Sequence, residues 1–145
     1  MHPAAAKALF EEQVLPLSSA LAQRRQWVFH ELVFPLIDCS FVANGRTTMR
    51  VRFHCDDWND LPPSITLHHP DGAYLAATLP DPTNVFNASP HPITGRPFIC
   101  MRGSREYHTH SSHTTDLWDN AKNGSSFTLG GILTQVWNAW LKGTG

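Results

Sequence analysis

Met49-Arg50-Val51-Arg52-Phe53-His54-Cys55 alternates without a break. Met49, Val51, Phe53 and Cys55 fall on one side of an extended chain, and Arg50, Arg52 and His54 on the other. That pattern predicts a strand buried on one face only. Upstream, residues 36–43 repeat it with Ile37, Cys39 and Phe41 on the inner face, and Asn44-Gly45 supplies a hairpin turn between the two runs. Residues 28–34 are rich in β-formers and stop at Pro35. Downstream, Pro62-Pro63 leads into a short fourth strand, Ile65 to Leu67, closed by His69-Pro70-Asp71-Gly72. Short strands joined in sequence predict an antiparallel four-stranded meander.

Helices flank the meander. Ala6, Phe10, Val14, Leu17 and Leu21 recur at helical spacing over residues 4–25, and Pro16 must kink this helix or start a second segment. At the other end Thr128 can cap a helix whose apolar face carries Leu129, Ile132, Leu133, Val136, Trp137, Trp140 and Leu141. It runs to Lys142 and stops at Gly143. Residues 70–98 hold many prolines and little periodicity, and read as an ordered, irregular region of functional character. The fold class is α+β, with helices packed on an antiparallel sheet.

The length of 145 residues suits one domain, residues 1–145, with a core large enough to need no metal or disulfide. A formal net charge of −1 gives no electrostatic case for nucleic-acid binding. No apolar run is long enough to span a bilayer and no signal-peptide core opens the chain, so a cytoplasmic protein without a membrane partner is expected. The odd count of 3 cysteines points to reduced thiols.

The alternation sorts those cysteines. Cys39 and Cys55 continue inward-facing series and read as core residues. Cys100 follows Phe98-Ile99 and opens the polar run Met101-Arg102-Gly103-Ser104-Arg105. A thiol at the edge of a core, with Arg96, Arg102 and Arg105 nearby to favour the thiolate, is a candidate nucleophile; the plain alternative is one more packed thiol. His108, His110 and His113 follow within six residues, flanked by Tyr107 and Asp116. They read as acid/base or oxyanion partners of Cys100, as metal ligands, or as a solvated polar loop. The metal reading lacks the Pro and the downstream Ser-x-x-Asp that accompany His-x-His in metal-dependent deubiquitinases.

Trp58-Asn59-Asp60-Leu61-Pro62-Pro63-Ser64-Ile65-Thr66-Leu67 resembles the Tyr-Pro-x-x-Pro-Pro-x-Val-x-Phe signature of ubiquitin-conjugating enzymes. His91-Pro92-Ile93-Thr94-Gly95-Arg96-Pro97-Phe98-Ile99-Cys100 is similar to that family's His-Pro-Asn segment running to Gly-x-Ile-Cys, and Leu117-Trp118-Asp119 continues the likeness. Three departures stand out. Ile93 occupies the place of the family Asn, the stretches between Leu67 and His91 and between Cys100 and Trp118 are expanded, and the chain closes on a single amphipathic helix. This combination resembles divergent bacterial conjugating enzymes of ubiquitin-like operons, some of which serve antiphage defence.

The resemblance implies a UBC-like fold and a thioester on Cys100. The partners it implies are an activating enzyme, a ubiquitin-like protein and a protein target, with no cofactor. It also implies an activating-enzyme docking surface on the first helix, with Lys7, Arg24 and Arg25 as contacts. Ile93 cannot donate to an oxyanion, so backbone amides, Asn120 or the clustered histidines must substitute. His108 and His110, nearer Cys100 in sequence than His113, are favoured as catalytic residues. Two other readings stand beside the enzyme: an inactive UBC-like binding module, and a small zinc protein using His108, His110 and His113.

Overall fold

A computed structural model describes residues 1–77, 81, 83–87 and 89–143. Four strands follow one another in space as in sequence: β1 (Trp27–Val33), β2 (Leu36–Phe41), β3 (Met49–His54) and β4 (Ser64–His68). Each neighbouring pair is antiparallel, with Cys39 opposite Val51 and Val51 opposite Leu67. The alternation carries through to burial: Ile37, Cys39, Phe41, Met49, Val51, Phe53, Ile65 and Leu67 line the inner face. The turn between β2 and β3 is longer than the Asn44-Gly45 hairpin expected, because pairing ends at Phe41 and Met49. Gly45 takes a positive φ of 74° inside that longer loop.

The expected first helix is two helices, α1 (Pro3–Val14) and α2 (Ser19–Arg25). Pro16 has no N–H to give and clashes with a preceding helical turn, so the chain breaks there and restarts on the Ser18 cap. Phe10 is fully buried and meets Phe34 edge to face at 5.5 Å. The closing helix, α4 (Leu129–Gly143), includes Gly143; Thr128 Oγ1 accepts from Gly131 N at 3.0 Å, the cap read from the sequence. Leu129, Ile132, Leu133, Val136 and Trp140 of α4 are buried in the same core as the inner sheet face. Each such apolar side chain contributes about 1.5–3 kcal/mol on burial. Gln13 on α1 accepts from Leu129 N at 2.9 Å, tying the two ends of the chain together.

The outer face of the sheet is polar. Asp38 is 4% exposed and accepts two hydrogen bonds from Arg50, at 2.7 and 2.8 Å, and one from Arg52 at 3.1 Å. Burial pushes its carboxyl up, but the bonds and charges of the two guanidiniums outweigh this and hold it below the usual carboxylate range. Among the described residues, no helix is long and apolar enough to cross a membrane.

Candidate active site

Beyond β4 the described residues are mostly irregular until a two-residue pair, β5 (Phe86–Asn87) with β6 (Phe98–Ile99); residues 78–80, 82 and 88 of the stretch read as irregular lie outside the described residues. Cys100 extends this pair, its N–H donating to Val85 O at 2.6 Å. The chain then turns sharply through Gly103, whose φ of 101° suits glycine and where a Cβ would come within 3.1 Å of Phe127 and 3.3 Å of Ile132. Ser104, fully buried, accepts from Tyr107 N at 3.2 Å and so caps a short helix, α3 (Arg105–Thr109). His110 Nδ1 accepts from Ser112 N at 3.1 Å and starts a single 3-10 turn, Ser111–His113. The segment read as a loop is therefore a helix and a turn folded back on the nucleophile.

That reversal decides which histidine meets the thiol. Cys100 Sγ lies 3.5 Å from Nε2 of His113, 13 residues away in sequence. His108, favoured on sequence proximity, is committed elsewhere. Its Nδ1 lies 2.8 Å from Asp116 O, and its Nε2 accepts from Gly103 N at 3.1 Å. Both ring nitrogens serve protein backbone, so His108 braces the loop in its neutral form, and burial pushes its pKa down accordingly. His110, the other favoured residue, stacks on Phe98 at 5.6 Å and spends Nδ1 on the Ser112 cap. Sequence distance misleads here because the rings of His108 and His110 are engaged by other groups, and the turn after α3 brings His113 back to the thiol.

The three cysteines separate by environment. Cys39 and Cys55 are 0% and 1% exposed, and burial pushes the Cys39 thiol up to about 12 and raises Cys55 as well. Cys100 is partly exposed, and burial raises its thiol too. The expected help from arginines is absent from the geometry. Arg102 is locked to Asp116 by bonds of 2.7, 3.0 and 3.2 Å, and Arg105 Nε donates to Pro62 O at 3.2 Å. Arg96 lies over the Tyr74 ring at 3.9 Å. The thiol therefore gains no positive charge from these arginines, and the side chain that meets it is the His113 imidazole.

The His-Pro turn is held from within. His91 is 1% exposed; its Nδ1 accepts from Ile93 N at 3.1 Å and its Nε2 lies 2.8 Å from Glu106 O. The Ile93 side chain is 73% exposed, and Asn120 is exposed at the end of a 3-10 turn. Glu106 anchors α3 to the sheet, accepting from Ser64 Oγ and Ile65 N, each at 2.7 Å. The contributions of Tyr107 and Asp116 to the site were readable only as flanking residues. Tyr107 stacks on His113, ring centroids 4.0 Å apart, and donates to Asp116 Oδ2 at 2.8 Å.

Of the three proposed docking residues, Lys7 and Arg24 are exposed, Lys7 pairing with Glu11 at 3.7 Å. Arg25 is not a free surface charge. Its guanidinium lies 4.9 Å from the Trp27 ring centre and 5.0 Å from that of Trp137, and it donates to Thr134 Oγ1 at 2.9 Å. Among the described residues, no group of three or more His, Cys, Asp or Glu side chains converges as a metal site. For the zinc reading, the decisive point is that both His108 nitrogens are already occupied.

Residues 81–144 match the model of a family described as Y4jH-like, the Y4jH family. The matched stretch holds Cys100, the histidines and α4, and leaves out the four-stranded sheet. No curated protein matches the chain.

Proposed function

We propose that this chain is a ubiquitin-conjugating-type acyltransferase of UBC-like fold, accepting a ubiquitin-like protein as a thioester on Cys100 and passing it to an amine on a target. The observation that carries this reading is the pairing of the one partly exposed cysteine with an imidazole at 3.5 Å. The helix–meander–helix order and the Pro62-Pro63 and His91-Pro92 to Ile99-Cys100 segments support the conjugating class over other thiol chemistry. A role in a bacterial antiphage operon belongs to the same reading.

Charging begins when His113 Nε2 takes the Cys100 proton. The sulfur attacks the incoming thioester carbonyl, a new C–S bond forms, and the thiolate of the activating enzyme leaves and is reprotonated. This exchange replaces one thioester by another and is nearly isoenergetic. Transfer is harder, because a lysine amine is under about 0.1% neutral at pH 7. His113, restored to its neutral form, takes the proton of the attacking amine as the C–S bond breaks and Cys100 leaves as thiolate. The Ile93 side chain supplies no donor and its N–H is given to His91, so the oxyanion falls to other backbone N–H groups.

The test uses ATP with an activating enzyme and a ubiquitin-like protein from a bacterial conjugation operon. A thiol-sensitive adduct is expected, absent in Cys100→Ala and converted to a thiol-resistant ester in Cys100→Ser. Cys39→Ala and Cys55→Ala retain charging. An adduct that survives Cys100→Ala, or that vanishes in folded Cys39→Ala, overturns the assignment. The inactive-module reading predicts binding of the ubiquitin-like protein with no adduct in any variant.

A further inference from the structure

We infer that Tyr107 is the positioning residue of His113, holding its ring edge-on to Cys100 through a face-to-face stack that Asp116 and Arg102 anchor. The inference rests on the reading that His113 acts on Cys100.

His113 ends a three-residue 3-10 turn and is only partly buried. A side chain so placed has two free torsions and little packing to restrict them. Its Nε2 nevertheless points at Sγ. The Tyr107 ring accounts for this, lying at 4.0 Å and 16° to the imidazole. Stacking fixes the plane of the imidazole and leaves its edge, where the nitrogens sit, facing outward. The His110 ring, at 5.8 Å and 47°, closes the other approach more loosely.

Tyr107 is itself fixed. Its hydroxyl donates to Asp116 Oδ2 at 2.8 Å, and the Asp116 carboxylate is gripped by Arg102 through Nε and a terminal nitrogen. Arg102 lies two residues beyond Cys100. The contacts thus form a closed circuit from Cys100 through the chain to Arg102, on to Asp116, Tyr107 and His113, and back to Cys100. Such a circuit aligns the base with the nucleophile before any partner arrives, which is what preorganisation requires. Both oxygens of that carboxylate are engaged by Tyr107 and Arg102. The orienting group is therefore a ring face rather than a third member of a hydrogen-bonded triad.

The test needs no ubiquitin-like protein. The rate of Cys100 alkylation by iodoacetamide is followed from about pH 5.5 to 9, across the imidazole and thiol ranges, by mass spectrometry of the Cys100 peptide. The parent shows an imidazole-dependent limb below the thiol's own ionisation. His113→Ala removes that limb and slows alkylation at pH 7 by about tenfold or more. Tyr107→Leu shows the same loss, and adding it to His113→Ala costs nothing further, the non-additivity of two residues acting as one unit. Tyr107→Phe keeps the ring but loses the bond to Asp116, so it keeps the limb and weakens it severalfold, as the anchor variants do, and less than Tyr107→Leu. If Tyr107→Leu fails to fold by circular dichroism, Asp116→Ala and Arg102→Ala replace it and weaken the limb severalfold. The inference is overturned if Tyr107→Leu, or both anchor variants, keep the parent profile, or if the double variant shows the product of the two single losses. A parent profile in His113→Ala overturns the Cys100–His113 pairing itself, whereas loss there with none in Tyr107→Leu overturns only the role of Tyr107.

Discussion

Replacing Arg25 by Ala removes a side chain wedged between two indoles. Its guanidinium stands 4.9 and 5.0 Å from the ring centres of Trp27, at the start of β1, and Trp137, on α4, and donates to Thr134 on α4. Each cation–π contact at a partly exposed site is worth about 0.5–1 kcal/mol. The hydrogen bond adds about 0.5–1.5 kcal/mol. Together they predict a loss of about 1.5–3.5 kcal/mol, or about 3–14 °C in melting temperature for a chain of this size. Arg25→Lys keeps the charge and loses the planar stack, so it recovers less than half of the loss. Urea unfolding followed by tryptophan fluorescence measures it, with the slope unchanged so that the midpoint shift reports stability. A loss under about 0.5 kcal/mol in Arg25→Ala, the ordinary effect of a surface change, refutes the clamp. The result bears on docking as well. Lys7→Glu and Arg24→Glu leave the midpoint in place, so slower charging in either marks a contact with the activating enzyme. Charge reversal at Arg25 cannot be read that way.

Two further predictions test how the site is held. Burial raises the carboxyl of Glu106 above its ordinary value of 4.5, so the folded protein binds this proton more tightly than the unfolded chain does. The stability it supplies is fully present below pH 4.5 and is lost as pH rises through the raised folded value. Glu106→Gln therefore removes this fall, and the stability difference between variant and parent, measured by urea unfolding, grows with pH; a constant difference refutes it. Gly103→Ala places a Cβ against Phe127 and Ile132 in a backbone conformation that suits glycine. It is expected to cost about 1–3 kcal/mol in the same assay and to slow Cys100 alkylation, since Gly103 N is the donor that braces His108. Parent stability in Gly103→Ala contradicts the close packing of that turn.

The sheet and the outer helices were legible because each has a long repeating pattern set against one core. The inner face of β3 alternates over its whole length, and the stripe on α4 places five buried residues at helical spacing. The break between α1 and α2 was visible in Pro16. What lay beyond reading was anything whose partner is distant in sequence and polar. α3 has only five residues and no periodicity, so its one signal was the Ser104 cap. The three arginines near Cys100 looked like a source of positive charge, yet Arg102 is neutralised by Asp116, 14 residues later. Arg25 read as a docking contact on a helix surface because its indole partners come from a strand and from the far end of the chain. Among the histidines, order along the chain favoured His108 and His110. Chain reversal after α3 favoured His113.

Asp38 and its two arginines constrain more than the charge of the sheet's outer face. A meander of short strands can slide, and a slip of one residue turns every side chain over. In β2 such a slip would carry Asp38 and Ser40 inward and leave Ile37 and Phe41 in water. In β3 it would drive Arg50 and Arg52 beneath α4. Misregistered pairings therefore lose apolar burial and strand one charge in the core when β2 turns over, or two when β3 does, each at a cost of several kcal/mol. The salt-bridged face thus widens the energy gap between the native alignment of β2 on β3 and its near misses, which apolar patterning alone would penalise less.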